Sequence, residues 1–554
     1  MSSRFRTFLP PVFVPLFAAY PVLFIASANP GQVQIVDVVG VAGVAMLAAF
    51  IVWAALRTLV RSGESAAVAV AFLVCMFFIY GQFANWLDGY VLGLGLGDFA
   101  TPNALDLHPH MRTKIALAWG GIALLVSVLI ARSAWARKPE LVKAFGWMSA
   151  GLVLFALFRI GAGLRHEEST DRRLAETVPA GSAQSAASRP HPDIYFIVLD
   201  GYARQDVLDK YYGFDNGPFL QALRDRGFQV STGGSSNYAW TFLSLSSTLN
   251  MGYIHDLFAG RLGPGSLDRS LLYDSIRDSE TARFLRGQGY EIVHLRSTWG
   301  ATSVNPTADR EIRCESSAYN SEFVRAVAEA SWLGAFNNKA GFDLARCHLA
   351  NFKSVGQVRA DGRPMFVFAH FLLPHHPYLF DRDGQILRNA MVSNQFEFQK
   401  RLWEDRDSYR SQLEFLNRKV LEMVDSLQHR SAAPPIIVIV SDHGPGITSG
   451  LTQAAHYAVR FANFGAYSLP GAPSDLMPPT GTAVNQFRRI LSYYFDANLP
   501  PLPDRHFASP YGMPYAFREV PHEMLREWWT QMPTEPQSAG GNDAAGPIEE
   551  ESND

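Results

Sequence analysis

Apolar residues crowd into long runs before residue 165 and break into short runs divided by polar stretches after residue 191. Five of the early runs, Phe8 to Ala28, Ile35 to Leu56, Ala66 to Phe83, Ile115 to Ala131 and Ala144 to Leu164, approach the roughly 20 residues that cross a bilayer. Helices of a soluble bundle would each keep a polar face, and these have almost none. A transmembrane domain of about five spans is therefore expected over residues 1–164. No small-residue cleavage site follows the first run, which marks it as a retained anchor rather than a removable signal.

Basic residues set the expected orientation. Arg4 and Arg6 precede the first span, Arg57 and Arg61 follow the second, and Arg132, Arg137 and Lys138 follow the fourth, so these ends are expected in the cytoplasm. The connection from Ser27 to Gln34 has no base, and that from Ala84 to Thr113 carries Asp88, Asp98 and Asp106 with only Arg112 late; both are expected to face outward. An odd number of spans then places everything after Leu164 outside the cytoplasm, on the periplasmic side in a Gram-negative cell. Gly93 to Asp98, GLGLGD, lacks the strand-to-helix setting of a phosphate loop and reads as an interfacial loop.

The second half has a different period. Residues 165–191 pass from charged to Ala/Ser/Gly-rich and read as a linker. Beyond it, strands at Ile194 to Leu199, Tyr290 to Leu295 and Met365 to Leu373 alternate with helices at Pro218 to Arg226 and Ala483 to Phe495. A further helix is marked by Tyr409, Leu413, Leu416, Val420, Met423 and Leu427 at spacings of three and four. Such alternation predicts an α/β domain over residues 192–532, a mostly parallel sheet covered by helices on both faces. Residues 533–554 are acidic and expected to be disordered. That tail holds six acidic residues and no base, so the remainder of a chain of net charge -3 is close to neutral. It shows no basic stripe of the kind that binds nucleic acid. Cys75 falls in an apolar run, whereas Cys314 and Cys347 lie where an oxidising compartment would let them pair.

Candidate chemistry gathers at strand ends. In PPIIVIVSDHGPG, Pro434 to Gly446, an Ile/Val run reads as a buried parallel strand that delivers Asp442 and His443 to its carboxyl end, where open α/β sheets place their sites. PDIYFIVLDGYAR, Pro192 to Arg204, repeats the device with Asp200. Thr241, in SNYAWTFLSLSSTLNM, opens a helix whose free amides favour an anion; alone, it would read as an ordinary N-cap. Asp200, Thr241, Asp442 and His443 together offer three oxygens and a nitrogen, a set suited to Zn²⁺ or Mn²⁺, with Mg²⁺ or Ca²⁺ as alternatives. A cation on the Thr241 hydroxyl would make it a nucleophile. HFLLPHHPYLFD, His370 to Asp381, places His375 and His376 at another strand end. His375 is a candidate to hold a phosphoryl oxygen or assist the leaving group, against a reading of both as surface histidines in a Pro-rich turn. Ser244, Asn250, His376 and, more weakly, His456 are candidates for substrate contact.

The order strand-Asp-Gly, Thr at a Ser/Asn-rich helix start, Pro-His-x-Pro-Tyr and Ser-Asp-His-Gly resembles the alkaline phosphatase superfamily in its sulfatase-like branch, over about Pro192 to Pro503. Five spans ahead of an outward domain are also the layout of lipoteichoic acid synthases and lipid A phosphoethanolamine transferases. The resemblance implies Asp200, Thr241, Asp442 and His443 as the metal-and-nucleophile site and His375 as a substrate-contacting histidine. The sequence departs from sulfatases, because Thr241 stands where they carry a Cys or Ser in a Cys/Ser-x-Pro-x-Arg signature, and from the synthases, which use Glu in place of Asp200. The Asp-x-x-x-His motif that holds a second metal in the nucleotide phosphodiesterase branch is not placed at these strand ends, so one metal is expected and a second is left open. These features imply a membrane-embedded, metal-dependent phospho-transferase that moves a group from a lipid phosphodiester to an envelope glycan or lipid through a phosphothreonine. The alternatives are a hydrolase of phosphate or sulfate esters and an inactive membrane-anchored binding domain.

Overall fold

The computed structural model describes residues 3–29, 33–93, 104–177, 191–314, 321–336, 340–360, 362–387, 402–431, 433–448, 451–521 and Leu525. The expected interfacial loop after Gly93, the second half of the expected linker and the acidic tail lie outside these residues.

Five helices come first: α1 Ser3–Ala28, α2 Ile35–Val60, α3 Gly63–Gly93, α4 Ala104–Arg132 and α5 Pro139–Thr177. Each contains a stretch long and apolar enough to cross a membrane: Pro10–Ala28, Ile35–Val60, Gly63–Ala84, Thr113–Arg132 and Pro139–Gly161. Small residues of α3 (Ala66, Ala67, Val70, Ala71) let it pack closely on Phe13, Val14 and Phe17 of α1 and Trp53 of α2. Outward, Val36, Leu47, Leu125, Leu154 and Phe158 are exposed, as a lipid solvent allows and water would not. Residues 165–177, expected to begin a linker, instead continue α5. They contain no Gly or Pro, and Glu167, Glu168, Arg172, Arg173 and Leu174 all favour a helix.

The strands of the α/β domain are β1 Ile194–Leu199, β2 Gln229–Val230, β3 Glu291–Leu295, β4 Arg310–Ile312, β5 Met365–Phe371, β6 Ile436–Val440, β7 Gly465–Ser468, β8 His506–Ala508 and β9 Arg518–Val520. Seven of them form one sheet in the order β2-β7-β6-β1-β5-β3-β4, and β8 pairs with β9 apart from it. From β6 to β4 every pairing is parallel; β7 and β2 are antiparallel additions at one edge.

Both faces of the sheet are covered. Ile197, Leu199, Val367, Ile437 and Ile439 face Leu413, Leu416, Val420 and Leu427 of the helix Arg406–Arg430. The alternate residues Phe196, Val198, Phe368, Val438 and Val440 face Phe242, Leu243 and Leu245 of the helix Thr241–Leu249 and Phe487 and Ile490 of the helix Gln486–Phe495. Full burial of each such side chain contributes about 1.5–3 kcal/mol. This two-sided burial is why the strands read as unbroken apolar runs.

One segment ties the two halves together. The helix Glu322–Ala330 and the turn Trp332–Phe336 rest on the ends of α1 to α4. Phe323 and Val327 pack with Val22 and Ala26 of α1 and Val38 and Ala42 of α2. Ser321 Oγ donates to Asp37 Oδ2 at 2.6 Å, and Trp332 Nε1 donates to the Ala116 carbonyl at 2.8 Å. The α/β domain therefore rests on the side of the bundle where α1 and α3 end and α2 and α4 begin, and the Arg-bearing connections after α2 and α4 lie at the opposite end. Cys314, after β4, is bridged to Cys347 of the helix Ala340–Val355.

Candidate metal centre and active site

Three neighbouring parallel strands, β6, β1 and β5, end at the same edge, with Val198 beside Val440 and Leu199 beside Phe371. Asp200, Asp442 with His443, and the turn holding His375 leave from that edge. The helix Thr241–Leu249 brings its first residue there from one face. β1 ends more than 150 residues before β5 begins, and the three strands still deliver their side chains to one spot.

Each carboxylate is held by one oxygen and leaves the other free. Asp442 Oδ1 accepts from the Gly201 amide at 3.1 Å, and Asp200 Oδ2 lies 3.5 Å from His370 Nε2. Asp200 Oδ1 and Asp442 Oδ2 are buried without a hydrogen-bond partner. His443 Nδ1 lies 3.0 Å from the Gly444 carbonyl, to which it can only donate, so the lone pair is on Nε2. That nitrogen is 3.1 Å from Asp442 Oδ2, 3.9 Å from Asp200 Oδ1 and 3.0 Å from Thr241 Oγ1. Asp200, Asp442 and His443 have ligand atoms within 4.8 Å of one another, the one such group among the described residues.

The electrostatics agree with that donor set. Burial pushes the Asp442 carboxyl up to about 7, reinforced by the charge of Asp200. Burial also acts to raise Asp200, but the imidazoles of His375, His370 and His443 around it outweigh that and hold it below the usual carboxylate range. Two buried carboxylates this close cannot both ionise at low cost without a cation between them. Burial keeps His443 neutral, as a ligand must be. The orphaned oxygens, the neutral nitrogen and the half-buried hydroxyl fit a divalent cation.

Thr241 is the first residue of its helix and not the cap. Trp240 holds the cap position with no side-chain cap bond, and the Thr241 hydroxyl is turned to His443. Gly201 is required behind Asp200: its φ is +67°, and a Cβ there would run into the Trp403 ring. Trp403 roofs the edge, with its ring centroid 4.7 Å from His375 and 5.1 Å from His376. The His375 amide donates to the Asp200 carbonyl at 3.0 Å, and its Nδ1 donates to the His376 carbonyl at 2.6 Å. Burial lowers His375, and because Nδ1 donates, Nε2 of the neutral ring carries the lone pair and is an acceptor.

The remaining expected contacts divide. His376 is buried beside His375 with Nε2 unpartnered. Ser244 is buried and donates to the Asp442 carbonyl at 2.6 Å, which positions a ligand instead of facing substrate. Asn250 lies beyond the far end of the helix, about 13 Å along its axis, where it binds the Ser246 and Ser275 carbonyls and the Glu280 amide. His456 turns Nδ1 to the Ile447 carbonyl and stands outside the ligand group.

Three side chains at this edge were not singled out by sequence reasoning. His370 supports Asp200, and its one signal is a lone histidine inside the apolar strand MFVFAHF. Trp403 follows a stretch without a readable period. Arg460, on the helix Gln453–Phe461, donates Nε to the Ala239 carbonyl at 2.7 Å and Nη1 to the Gly444 carbonyl at 2.9 Å, and places Nη2 3.0 Å from His443 Nε2. Burial lowers it to about 10, which leaves it charged at neutral pH. A lone arginine in a short amphipathic helix carries no signal of its own.

No protein-family model matches the chain, and no curated protein matches it either. Among solved structures it is similar to the C-terminal periplasmic domain of EptC from Escherichia coli in complex with zinc, at 12% identity over 61% of this chain and 94% of that one, with a TM-score of 0.38. It is similar to the same domain of the phosphoethanolamine transferase EptC from Campylobacter jejuni, at 13% identity over 55% and 90%, with a TM-score of 0.35. The integral membrane lipooligosaccharide phosphoethanolamine transferase A from Neisseria meningitidis matches at 12% identity over 88% of this chain and 95% of its own, with a TM-score of 0.34.

Proposed function

We propose that the chain is a membrane-embedded, metal-dependent phospho-transferase with Thr241 as nucleophile, Asp200, Asp442, His443 and the Thr241 hydroxyl as metal ligands, and His375 as a proton acceptor. The observation that carries this reading is the Thr241 hydroxyl at His443 Nε2, beside two buried carboxylate oxygens that have no other partner. Zinc or manganese suits the mixed oxygen and nitrogen donors best. When bound, the cation would supply charge to ionise the threonine hydroxyl and to polarise a phosphoryl oxygen.

In the first half of the reaction Thr241 Oγ1 forms a bond to the phosphorus of a lipid phosphodiester. The ester bond to the lipid alcohol breaks, and the departing oxygen ends with the proton that Thr241 gave up. In the second half a hydroxyl of an envelope glycan or lipid attacks the phosphothreonine. Its proton passes to His375 Nε2, the Thr241–phosphorus bond breaks, and the threonine oxygen is reprotonated. The docking of the α/β domain on the span ends supports a donor drawn from the bilayer, and the basic residues at the opposite span ends support a site outside the cytoplasm.

The test is incubation of the purified, metal-loaded full chain with headgroup-labelled phospholipids and a mixture of envelope glycolipids. Label transferred to an acceptor is expected. Label released only as a water-soluble phosphate compound assigns a hydrolase, and no loss of label from any phospholipid would rule the reading out.

A further inference from the structure

We propose that Arg460 is a further catalytic residue, whose Nη2 binds a non-bridging oxygen of the phosphoryl group under attack by Thr241. The proposal rests on the phospho-transfer reading above and assigns its substrate contact.

The guanidinium is built into place. Nε and Nη1 are committed to the carbonyls of Ala239 and Gly444, which come from the segments just before Thr241 and just after His443. Trp240 and Trp403 lie with ring centroids 5.1 Å and 5.9 Å from Cζ, so the plane is fixed by hydrogen bonds and flanked by aromatic rings. Arg460 is only 5% exposed.

Nη2 is the odd nitrogen. Its partner is His443 Nε2, at 3.0 Å, and it makes no ion pair with either carboxylate. The lone pair of His443 is on that same nitrogen, because Nδ1 donates to Gly444. A cation held by Asp200, Asp442 and His443 needs that lone pair, and Nη2 then loses its acceptor while staying buried. An unpaired buried guanidinium N–H is costly. An anionic oxygen arriving beside the cation restores the partner.

The charges lead to the same conclusion. Two carboxylates and a divalent cation leave the centre neutral, so Arg460 gives it the single positive charge that complements a phosphodiester. A guanidinium aimed where charge develops, held between hydrogen bonds and two tryptophans, is an electrostatic stabiliser that needs no reorganisation.

The test uses the zinc-loaded full chain in detergent, with inorganic phosphate as the probe. Phosphate affinity is measured by calorimetry, and metal content by elemental mass spectrometry. Arg460→Met is expected to keep wild-type zinc content and to bind phosphate about tenfold or more weakly; Arg460→Lys, which keeps the charge but not the fork, is expected to fall between. Unchanged phosphate affinity at wild-type zinc content overturns the proposal. A fall in zinc content that accounts for the lost affinity also overturns it, because Arg460 would then only hold His443. If Arg460→Met does not fold, Arg460→Lys and Arg460→Gln carry the same comparison. Failure of the wild-type protein to bind phosphate sinks the phospho-transfer reading, whereas wild-type binding that the variants share sinks only the role of Arg460.

Discussion

The hydroxyl of Thr241 lies 3.0 Å from His443 Nε2 although 202 positions separate the two residues. A hydroxyl that only capped its helix would point to the amides of its own first turn, and here Trp240 occupies the cap position instead. Thr241→Ala should therefore lower turnover by several orders of magnitude, as expected when covalent catalysis is abolished, with little loss of stability. Thr241→Ser should retain part of the activity. Peptide mapping of protein trapped with donor should find the phosphoryl adduct on Thr241; an active Thr241→Ala protein would end the covalent mechanism.

Asp442 is predicted to separate metal binding from stability. Asp442→Asn neutralises a ligand, so zinc content measured after gel filtration should fall. The folded carboxyl stands at about 7 against an ordinary value of 3.8, raised by burial and by Asp200. For a raised acid the folded state binds more protons than the unfolded one between these values, so metal-free stability is lost as pH rises through about 7. At pH 8 metal-free Asp442→Asn should melt above metal-free wild type, and the gap should narrow toward pH 5. Equal melting temperatures at pH 8 would show that the two carboxylates do not strain the fold.

Much of this site was legible because its ligands follow strands buried on both faces. Ile194–Leu199 and Ile436–Val440 are unbroken apolar runs, and each is followed at once, or after one serine, by the carboxylate that matters. The helix Arg406–Arg430 was legible for the same reason, since one period of burial runs along its whole length. The edges were not legible. β2, β4, β7, β8 and β9 have at most four residues each, too few for a two-residue alternation to stand out, and β7 pairs antiparallel where the rest of the pattern implied parallel neighbours. Arg460 and Trp403 reach the centre only through tertiary packing, which no local period encodes. The tautomer of His375 depends on the His376 carbonyl, a backbone contact set by the turn, which no local pattern encodes.

His294 is predicted to make acid destabilising. Burial is the main reason its imidazole stands at about 4 in the fold against an ordinary 6.5. The unfolded chain therefore takes up a proton that the folded one refuses, so stability is fully present above about 6.5 and is lost as pH falls toward 4. His294→Gln keeps a donor for the Thr302 carbonyl without titrating. Its melting temperature should fall less than that of wild type between pH 7 and pH 5; parallel curves would remove His294 from the acid response.

The bridge between Cys314 and Cys347 closes a separation of 33 residues. In the chain-entropy account such a loop contributes on the order of 3 to 4 kcal/mol. Alkylation of non-reduced protein should leave both cysteines unlabelled and label only Cys75 on unfolding. Cys347→Ser should lower the unfolding midpoint by a matching amount, and free thiols at both positions would refute the bridge.

The last prediction concerns the seam between the bundle and the α/β domain. At Gly81 of α3 an added Cβ would meet the Glu329 carbonyl oxygen at 2.5 Å and the Ala330 carbonyl carbon at 2.6 Å, so the span end and the docking helix touch backbone to side-chain-free backbone. Backbone on both sides leaves no rotamer to move, and Gly81→Val must push the helix Glu322–Ala330 off its seat. Val22, Ala26, Val38 and Ala42 would then lose Phe323 and Val327 as partners, and Asp37 would lose Ser321. Hydrogen exchange of residues 321–336 in the detergent-solubilised full chain should accelerate strongly, whereas Gly121→Ala in α4, where nothing lies within 4 Å, should leave it unchanged. The metal ligands stand on strands of the sheet and not on the docking segment, so zinc content should survive Gly81→Val. If the seat serves to hold the site over the bilayer, turnover of a phospholipid donor should fall while turnover of a short water-soluble phosphodiester does not. Equal loss on both donors would instead make the docking helix part of the fold of the catalytic edge itself.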